Sequence, residues 1–530
     1  MPYSFNVIDQ PWIPVLVPDD PVPRMVSLRE AIMRAHEIRA ISDPSPLVTI
    51  SLHRLLLAVV HRCFGPADAQ AWATLWAQPS FDPSVINAYL DKWHDRFDLF
   101  DAERPFYQTA GLPRELAVPV SKLTFAKSSG NNALLFDHSR DAEPEAIPAD
   151  EAARLLVAYQ AFSIGGLITK LPGEPTGSDS SHLVKGAVVL PRGDNLFQTL
   201  MLSVVQLDGD LDAPFAFDPR TDMPAWERDT PTPRETATDF GYLELLTWQN
   251  RRVLLFPEEA PDGQVVVRFA DVLAGRAISK DLDIRRRETM VAYRLLAKPA
   301  KNQDPWAPIG FKPEKALWRG SLALVQSDDR HQPKTLTWLT GLFQQGFEYD
   351  RLHLSVYGLS SDRANVFLWR SDHMDLPTAY LQDAELVAEL AMGLQAAEDV
   401  GRILKNSTGR LAAKVLEPDG NPDRGRVDAL ISALAPERTY WPALDIPFRQ
   451  HILTLPGDTA ANETLADHIQ HAAEAAWESA CNAVATNGRG FQAVAESSPV
   501  FYRLLRQAVQ RLRPSEPSAD TNAIPQEVPA

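Results

Sequence analysis

Apolar and polar positions change rhythm once along this chain, near residue 375. Beyond that point Leu386, Leu390, Leu394, Ala397, Val400, Leu404, Leu411 and Val415 recur at three- and four-residue steps. That spacing puts them on one face of a helix of about 35 residues. The turn-rich run EPDGNPDRG (417–425) ends it. Leu465, Ile469, Ala472, Ala476, Ala480 and Val484 form a second stripe after the turn LPGD. Ser498-Pro499, an N-cap followed by proline at the first helical position, predicts the start of a third, carrying Phe501, Leu504, Leu505, Ala508, Val509 and Leu512. Between the first and second stripes, VDALISALAPERTYWPALDIPFRQHILTL is helical but interrupted by prolines. Four amphipathic helices joined by short turns predict an antiparallel four-helix bundle over 376–513. From Pro514 to 530 the composition is that of a disordered tail.

Residues 1–375 mix short strand-like and helix-like runs with many prolines and predict a large irregular mixed α/β domain, so the fold class is α+β. Ser27 with Glu30 three residues on is a capping box opening a helix, and a second helix follows at about 46 to 63. HLVKGAVVLPRGDNLFQTLMLSVVQL (182–207) reads as a β-rich run that turns at Arg192-Gly193-Asp194-Asn195 into a buried helix or strand. The segment 208–350 predicts long loops.

Composition narrows the function. The 45% hydrophobic content can fill substantial cores, whereas 52 basic against 69 acidic residues give a net charge of −17. Charge alone therefore cannot hold nucleic acid over the whole surface; any such contact is local or shared with partners. Cys63 and Cys481 stand far apart and outside any C-x-x-C pair, which argues against a disulfide framework and fits a reducing compartment. The N-terminus lacks signal-peptide character and apolar stretches such as LLLAVV (55–60) are too short to span a bilayer, so a cytoplasmic protein without membrane contact is expected.

Catalytic signals are sparse. GEPTGS (173–178) has the glycines of a phosphate loop without its lysine and reads as a loop. His53, His94 and Asp95 could be assembled into a metal-dependent phosphohydrolase site, the alternative reading, although His94 fits the polar face of a short helix better. His468 and His471 lie one turn apart without a third ligand in register, and neither cysteine has a base partner nearby. No cofactor or metal is expected. Basic residues do cluster: Arg285, Arg286, Arg287, Arg294, Lys298 and Lys301, then Lys312, Lys315 and Arg319, against the acidic background. Such a stretch can meet phosphates on one face, or be an ordinary solvated surface.

The opening FNVIDQPWIPV, followed by VSLREAIMRAHEIRAISDPSPLVTISLHRLLLAVVHRCFGP, resembles the start of the CasA family, the large subunit of the type I-E CRISPR surveillance complex Cascade. The resemblance continues through SGNNALLFDH, AFSIGGL, GAVVLPRGDNLFQTLML, DPWAPIGF and YGLSSDRANVFLWRSDHM into ERTYWPALDIPFRQHIL, in order along nearly the whole chain. It implies a non-enzymatic subunit beside the 5′ handle of a CRISPR RNA. That subunit would inspect double-stranded target DNA for the protospacer-adjacent motif from the minor groove, start duplex opening and help recruit a helicase-nuclease. A protein-only scaffold is the remaining alternative.

Residue by residue, the resemblance places a motif-reading glycine loop at Ser163-Ile164-Gly165-Gly166, a wedge near Ser361-Asp362-Arg363, and a basic finger at Arg294 or Lys298. Glycine suits close approach of backbone to base edges. Relatives can carry an amide at the wedge, from which Asp362-Arg363 departs. Lys312 and Lys315 would form a nearby patch for the DNA backbone. The loop holding Asn132, Leu135 and Phe136 would enter the body of the complex, touching the guide RNA and the backbone subunits, while the bundle would face the small subunits.

Overall fold

The computed structural model describes residues 3–124, 144–206, 222–229, 232–296, 298–299, 305–311, 316–325, 332–362, 365–417, 420 and 422–513. They form two compact units, Met1–Met374 and Asp375–Ala530. The fold is α+β, with a mixed α/β N-terminal region and C-terminal helices.

In the first unit the Ser27 hydroxyl accepts from the Glu30 amide at 3.1 Å and the Ser27 amide donates to the Glu30 carboxylate at 2.9 Å, so both members of the capping box are made. The helix Pro46–Phe64 is the central core element, buried along nearly all its length. Its length and mean hydropathy of 1.5 would suffice to cross a membrane, which corrects the expectation that no apolar stretch is long enough. The reason it reads as shorter is that Ser51, His53, Arg54 and His61 interrupt the apolar run, and each of these polar side chains is buried within the unit. The run after His182 resolves into a strand, Val188–Arg192, and a helix, Leu196–Ser203, whose N-cap Asn195 accepts from the Gln198 amide.

Two sheets matter for function. Val188–Arg192 pairs antiparallel with Arg351–Asp362, which is flanked on its other side by Asn365–Pro377. Arg251–Glu259 and Val265–Ala274 form a long antiparallel pair, extended by Val118–Pro119 and Ile147–Pro148.

In the second unit the first helix runs Ala384–Leu416, capped by the Asp383 carboxylate. The proline-containing segment is two helices, Arg424–Leu434 and Pro436–Thr454, broken at Ala435, whose φ of 42° is left-handed. Pro442 and Pro447 lie inside the second of these without ending it. Ala461–Val484 follows, and the last helix starts at Gly488, eleven residues before the first helical position, Pro499, expected from Ser498-Pro499. Its N-cap is Asn487, which accepts from the Gly490 amide, while Pro499 sits in mid-helix on the exposed side. There the carbonyl left without a proline N–H partner can be hydrated, and buried Ala493, Phe501, Leu505 and Ala508 carry the helix through. Phe501 stacks on Trp477 with ring centroids 4.6 Å apart. The described α-helices of this unit therefore number five; Arg424–Leu434 buries no residue, and the other four line the core.

Candidate nucleic-acid interface

The helix Ala149–Phe162 ends at Ser163, and the chain then makes an out-and-back excursion to Ser181. The Ser181 amide donates to the Ser163 carbonyl at 2.8 Å and closes its base. The Gly165 amide donates to the Ser180 hydroxyl at 2.8 Å. A Cβ on Gly165 would stand 2.7 Å from the Ser180 nitrogen and 2.8 Å from the Ser178 carbonyl oxygen, so glycine is required there by backbone approaching backbone. Gly166 differs: its φ is +154° and nothing stands within 4 Å of where a Cβ would project. Gly166–Leu167 pairs with Gly177–Ser178, and Leu167 is 89% exposed. The loop thus offers one glycine fixed inward and one open to a ligand.

The support beneath it comes from the start of the strand Arg251–Glu259. Asn250 donates to the Ser163 hydroxyl (2.7 Å) and the Asp179 carbonyl (3.1 Å). The Arg251 guanidinium donates to the carbonyls of Ile164 (2.8 Å) and Asp179 (2.9 Å). Arg252 holds Glu174 at 2.7 Å, and Arg234 reaches both Glu174 and the Gly177 carbonyl. Glu174 lies in the GEPTGS stretch, which is the returning arm of this loop; a carboxylate there opposes phosphate binding.

The exit of the loop is tied to the second element. Arg54 forks onto Glu288 through two 3.0 Å hydrogen bonds, and the His182 Nε2–H donates to the same carboxylate at 3.1 Å. All three side chains are buried. Burial alone would raise the Glu288 pKa, but the Arg54 charge and the hydrogen bonds to it prevail and hold it down at about 2. Burial keeps His182 neutral, pushing its pKa below the usual histidine range. Two residues beyond Glu288, the Met290 carbonyl accepts from the Val189 amide at 2.7 Å, and the chain enters the ribbon Tyr293–Leu295, paired with Trp306–Pro308. Tyr293 points inward; Arg294 and Leu295 are exposed, as is Lys298. Neither Arg294 nor Lys298 has an ion-pair partner among the described residues.

The third element is the hairpin Arg351–Asp362 and Asn365–Pro377. Its first strand is paired with Val188–Arg192 from His353↔Arg192 to Tyr357↔Val188. One buried strand, Val188–Arg192, therefore borders the roots of both the basic ribbon and the hairpin, and the Glu288 carboxylate joins the ribbon to the loop exit. Asp362 is the last residue of its strand. Arg363 lies outside the described residues, as do Lys312, Lys315, Lys301, Asn132, Leu135 and Phe136.

Part of the basic cluster is half-buried and already paired. Arg285 pairs with Asp283 at 2.6 Å and lies over the Trp306 ring; Arg287 pairs with Asp239 at 2.8 Å and lies over Phe240. Of the two readings of this stretch, phosphate-facing or ordinary surface, these contacts favour the second for Arg285 and Arg287, whose charges are already engaged by aspartates and aromatic faces. The metal reading finds no support either. His53 is buried with Nδ1 on the Thr49 carbonyl at 2.8 Å and its pKa lowered to about 4 by desolvation, while His94 contacts Asp9 at 2.7 Å. Among the described residues no three His, Cys, Asp or Glu side chains are grouped so as to hold a metal ion. Burial raises the Cys63 thiol to about 12 and Cys481 to about 11, the wrong direction for a nucleophile.

The sequence singled out Gly165, Gly166, Arg294 and Lys298 and gave no weight to Arg54, His182, Asn250, Arg251 and Glu288. The one local signal was QNRRV, a polar run placed directly ahead of an apolar strand.

The sequence profile of the family described as CRISPR-associated protein Cse1 matches residues 6–487. The chain belongs to the Cse1 family. The CRISPR-associated protein CasA/Cse1 of Thermus thermophilus is 33% identical over 96% of this chain and 99% of its own length. A crystal structure of Thermus thermophilus CasA superposes with a TM-score of 0.79 at 30% identity, covering 95% of this chain and all of that one. A chain from a structure described as a CRISPR RNA-guided surveillance complex, 23% identical, shares the fold with a TM-score of 0.77 over 94% of this chain and all of that one. The loop, ribbon and hairpin described above are thus features of a Cse1-family fold.

Proposed function

We propose that this chain is the large subunit of a CRISPR RNA-guided surveillance complex and inspects double-stranded DNA for a protospacer-adjacent motif. Gly166 lies against base edges in the minor groove, Arg294 or Lys298 adds a positive contact, and the hairpin tip at Asp362-Arg363 begins strand separation. Lys312 and Lys315 attract the DNA backbone, and Asn132, Leu135 and Phe136 engage the guide RNA's 5′ handle and the backbone subunits. The helical unit meets the small subunits and helps recruit the helicase-nuclease. Cutting is left to that partner.

The observation that carries this reading is the pairing of Gly165, locked against backbone, with Gly166, open on its outer side, on a loop held by buried arginines. A turn that merely ended a helix would need neither the second glycine nor that support. The test is target-duplex binding by the guide-RNA complex reconstituted with and without this chain, using permissive and scrambled adjacent motifs at two salt concentrations. The chain is expected to tighten binding to the permissive duplex alone, and Gly166→Asp to remove that preference. Replacing the finger residue by Ala should weaken both duplexes and flatten the salt slope by about 1. Equal tightening of both duplexes, or of neither, would favour the protein-only scaffold.

A further inference from the structure

Arg251 is the first residue of its strand and only 1% exposed. Buried guanidinium groups ordinarily face a carboxylate, yet no carboxylate lies within ion-pair distance of Arg251 among the described residues. Asp179 attracts it from farther away, and Tyr159 contributes a hydroxyl. Its two terminal NH2 groups donate to backbone carbonyls, Ile164 on the outgoing stem of the glycine loop, Asp179 on the returning stem and the adjacent Asn250, while the Nε–H has no partner among the described residues. The backbone of Arg251, from which the guanidinium extends, is itself held in place. The Gln160 side chain accepts from the Arg251 amide and donates to the Arg251 carbonyl, both at 2.9 Å. Asn250 repeats the pattern one residue earlier, bridging Ser163 and Asp179.

We propose that Arg251 is a positioning residue for motif reading: its planar fork spans the two stems of the glycine loop and sets where Gly166 meets the DNA. This rests on the motif-reading function above. A buried charge bonded to neutral carbonyls has a large desolvation cost that one simple ion pair elsewhere would avoid. What the arrangement provides instead is geometry, because two NH2 groups in one rigid plane fix the spacing of two chain segments. Lysine keeps the charge and loses that fork.

The test uses the full guide-RNA complex carrying Arg251→Lys, with Gly166→Asp and Ser180→Ala in parallel, and reads the ratio of affinities for permissive and scrambled duplexes at two salt concentrations. Arg251→Lys should lower the ratio about tenfold, the effect of losing one charge-assisted hydrogen bond from a positioned loop. Affinity for the scrambled duplex and the salt slope should stay as in the wild type, because the charge is retained. Ser180→Ala removes only the acceptor for the Gly165 amide and should give a smaller change in the same direction without risk to the fold. Hydrogen exchange of the amides at 163–181 should quicken in Arg251→Lys while exchange in the helix Pro46–Phe64 stays slow. If Gly166→Asp abolishes discrimination and Arg251→Lys leaves the ratio intact, the positioning role is overturned and the motif-reading function stands. If Gly166→Asp leaves the ratio intact, the function itself fails and the positioning role with it. Equal weakening of both duplexes by Arg251→Lys, with faster exchange throughout the unit, would mark a purely structural arginine and also overturn the proposal.

Discussion

Replacing Glu288 by glutamine keeps the shape of the side chain and removes the charge to which Arg54 and His182 are bonded. The carboxyl is displaced from an ordinary 4.5 to about 2. A displacement of that size corresponds to about 3 kcal/mol. Breaking one partner of a buried pair independently suggests about 3–5 kcal/mol, because Arg54 would be left buried and uncompensated. A unit of 374 residues has an unfolding entropy of about 0.8 kcal/mol per kelvin, so Glu288→Gln should lower its melting temperature by about 4 °C at pH 7.5. The sign with pH follows from the lowered folded-state pKa: the stabilisation is complete above pH 4.5 and is lost as pH falls through 2. At pH 3 about 1.4 kcal/mol of it remains, and the gap between wild type and variant should narrow accordingly. Thermal unfolding followed by circular dichroism at pH 7.5, 4.5 and 3 reads both effects. A gap below 1 °C at pH 7.5, or one that stays constant down to pH 3, would refute the reasoning.

Three further outcomes follow from buried groups elsewhere. His61 packs edge-on against Tyr242 with both ring nitrogens unpartnered, and burial lowers its pKa to about 3. The unfolded chain takes up a proton below pH 6.5 and the folded one does not, so His61→Leu should reduce the loss of stability between pH 7.5 and 5.5 by about 1.4 kcal/mol in paired denaturant titrations. Asp271 is fully buried, neither carboxylate oxygen has a partner, and desolvation aided by Glu115 raises its pKa to about 6. A raised acid pKa is a penalty that grows from pH 3.8 to 6, so Asp271→Asn should stabilise by up to about 3 kcal/mol at pH 7.5 and by almost nothing at pH 3.5; equal gains at both would exclude the charge as the cause. In the second unit a Cβ on Gly401 would stand 2.6 Å from the Trp441 ring, whereas on Gly409 the nearest atom is 3.5 Å away. Gly401→Ala should therefore destabilise by about 1–2 kcal/mol through overpacking, and Gly409→Ala should stabilise by about 0.5–1 kcal/mol through helix propensity, a contrast that calorimetry of the two variants measures.

What could be read from the chain alone divides by the range of the interactions involved. The capping box at Ser27, the helix from Pro46 and the stripe from Leu386 to Val415 are set by residues within a turn or two of each other, and the structure has them where the pattern puts them. Ser498-Pro499 shows how a local rule misleads: the dipeptide that starts many helices is also tolerated on the wet face of a helix whose buried face is strong enough. The frame under the glycine loop was not legible for a different reason. Arg54 and Glu288 are 234 residues apart, and Arg251 is 87 from Ile164; no periodicity or spacing rule links positions that only the folded chain brings together.

That division also separates two kinds of variant within one site. Arg294 and Lys298 are exposed and touch little of their own chain, so replacing them should alter DNA binding while leaving thermal stability nearly unchanged, whereas a side chain at Gly166, with its φ of +154°, should add local strain to its effect on binding. Arg54, Glu288 and Arg251 touch no solvent, so replacing them should alter stability, and should alter binding only insofar as they place the loop. Stability and discrimination measured on the same set of variants would then fall on two distinct lines. If they fell on one, the loop would owe its position to the overall stability of the unit, and the buried frame would have no role of its own in reading DNA.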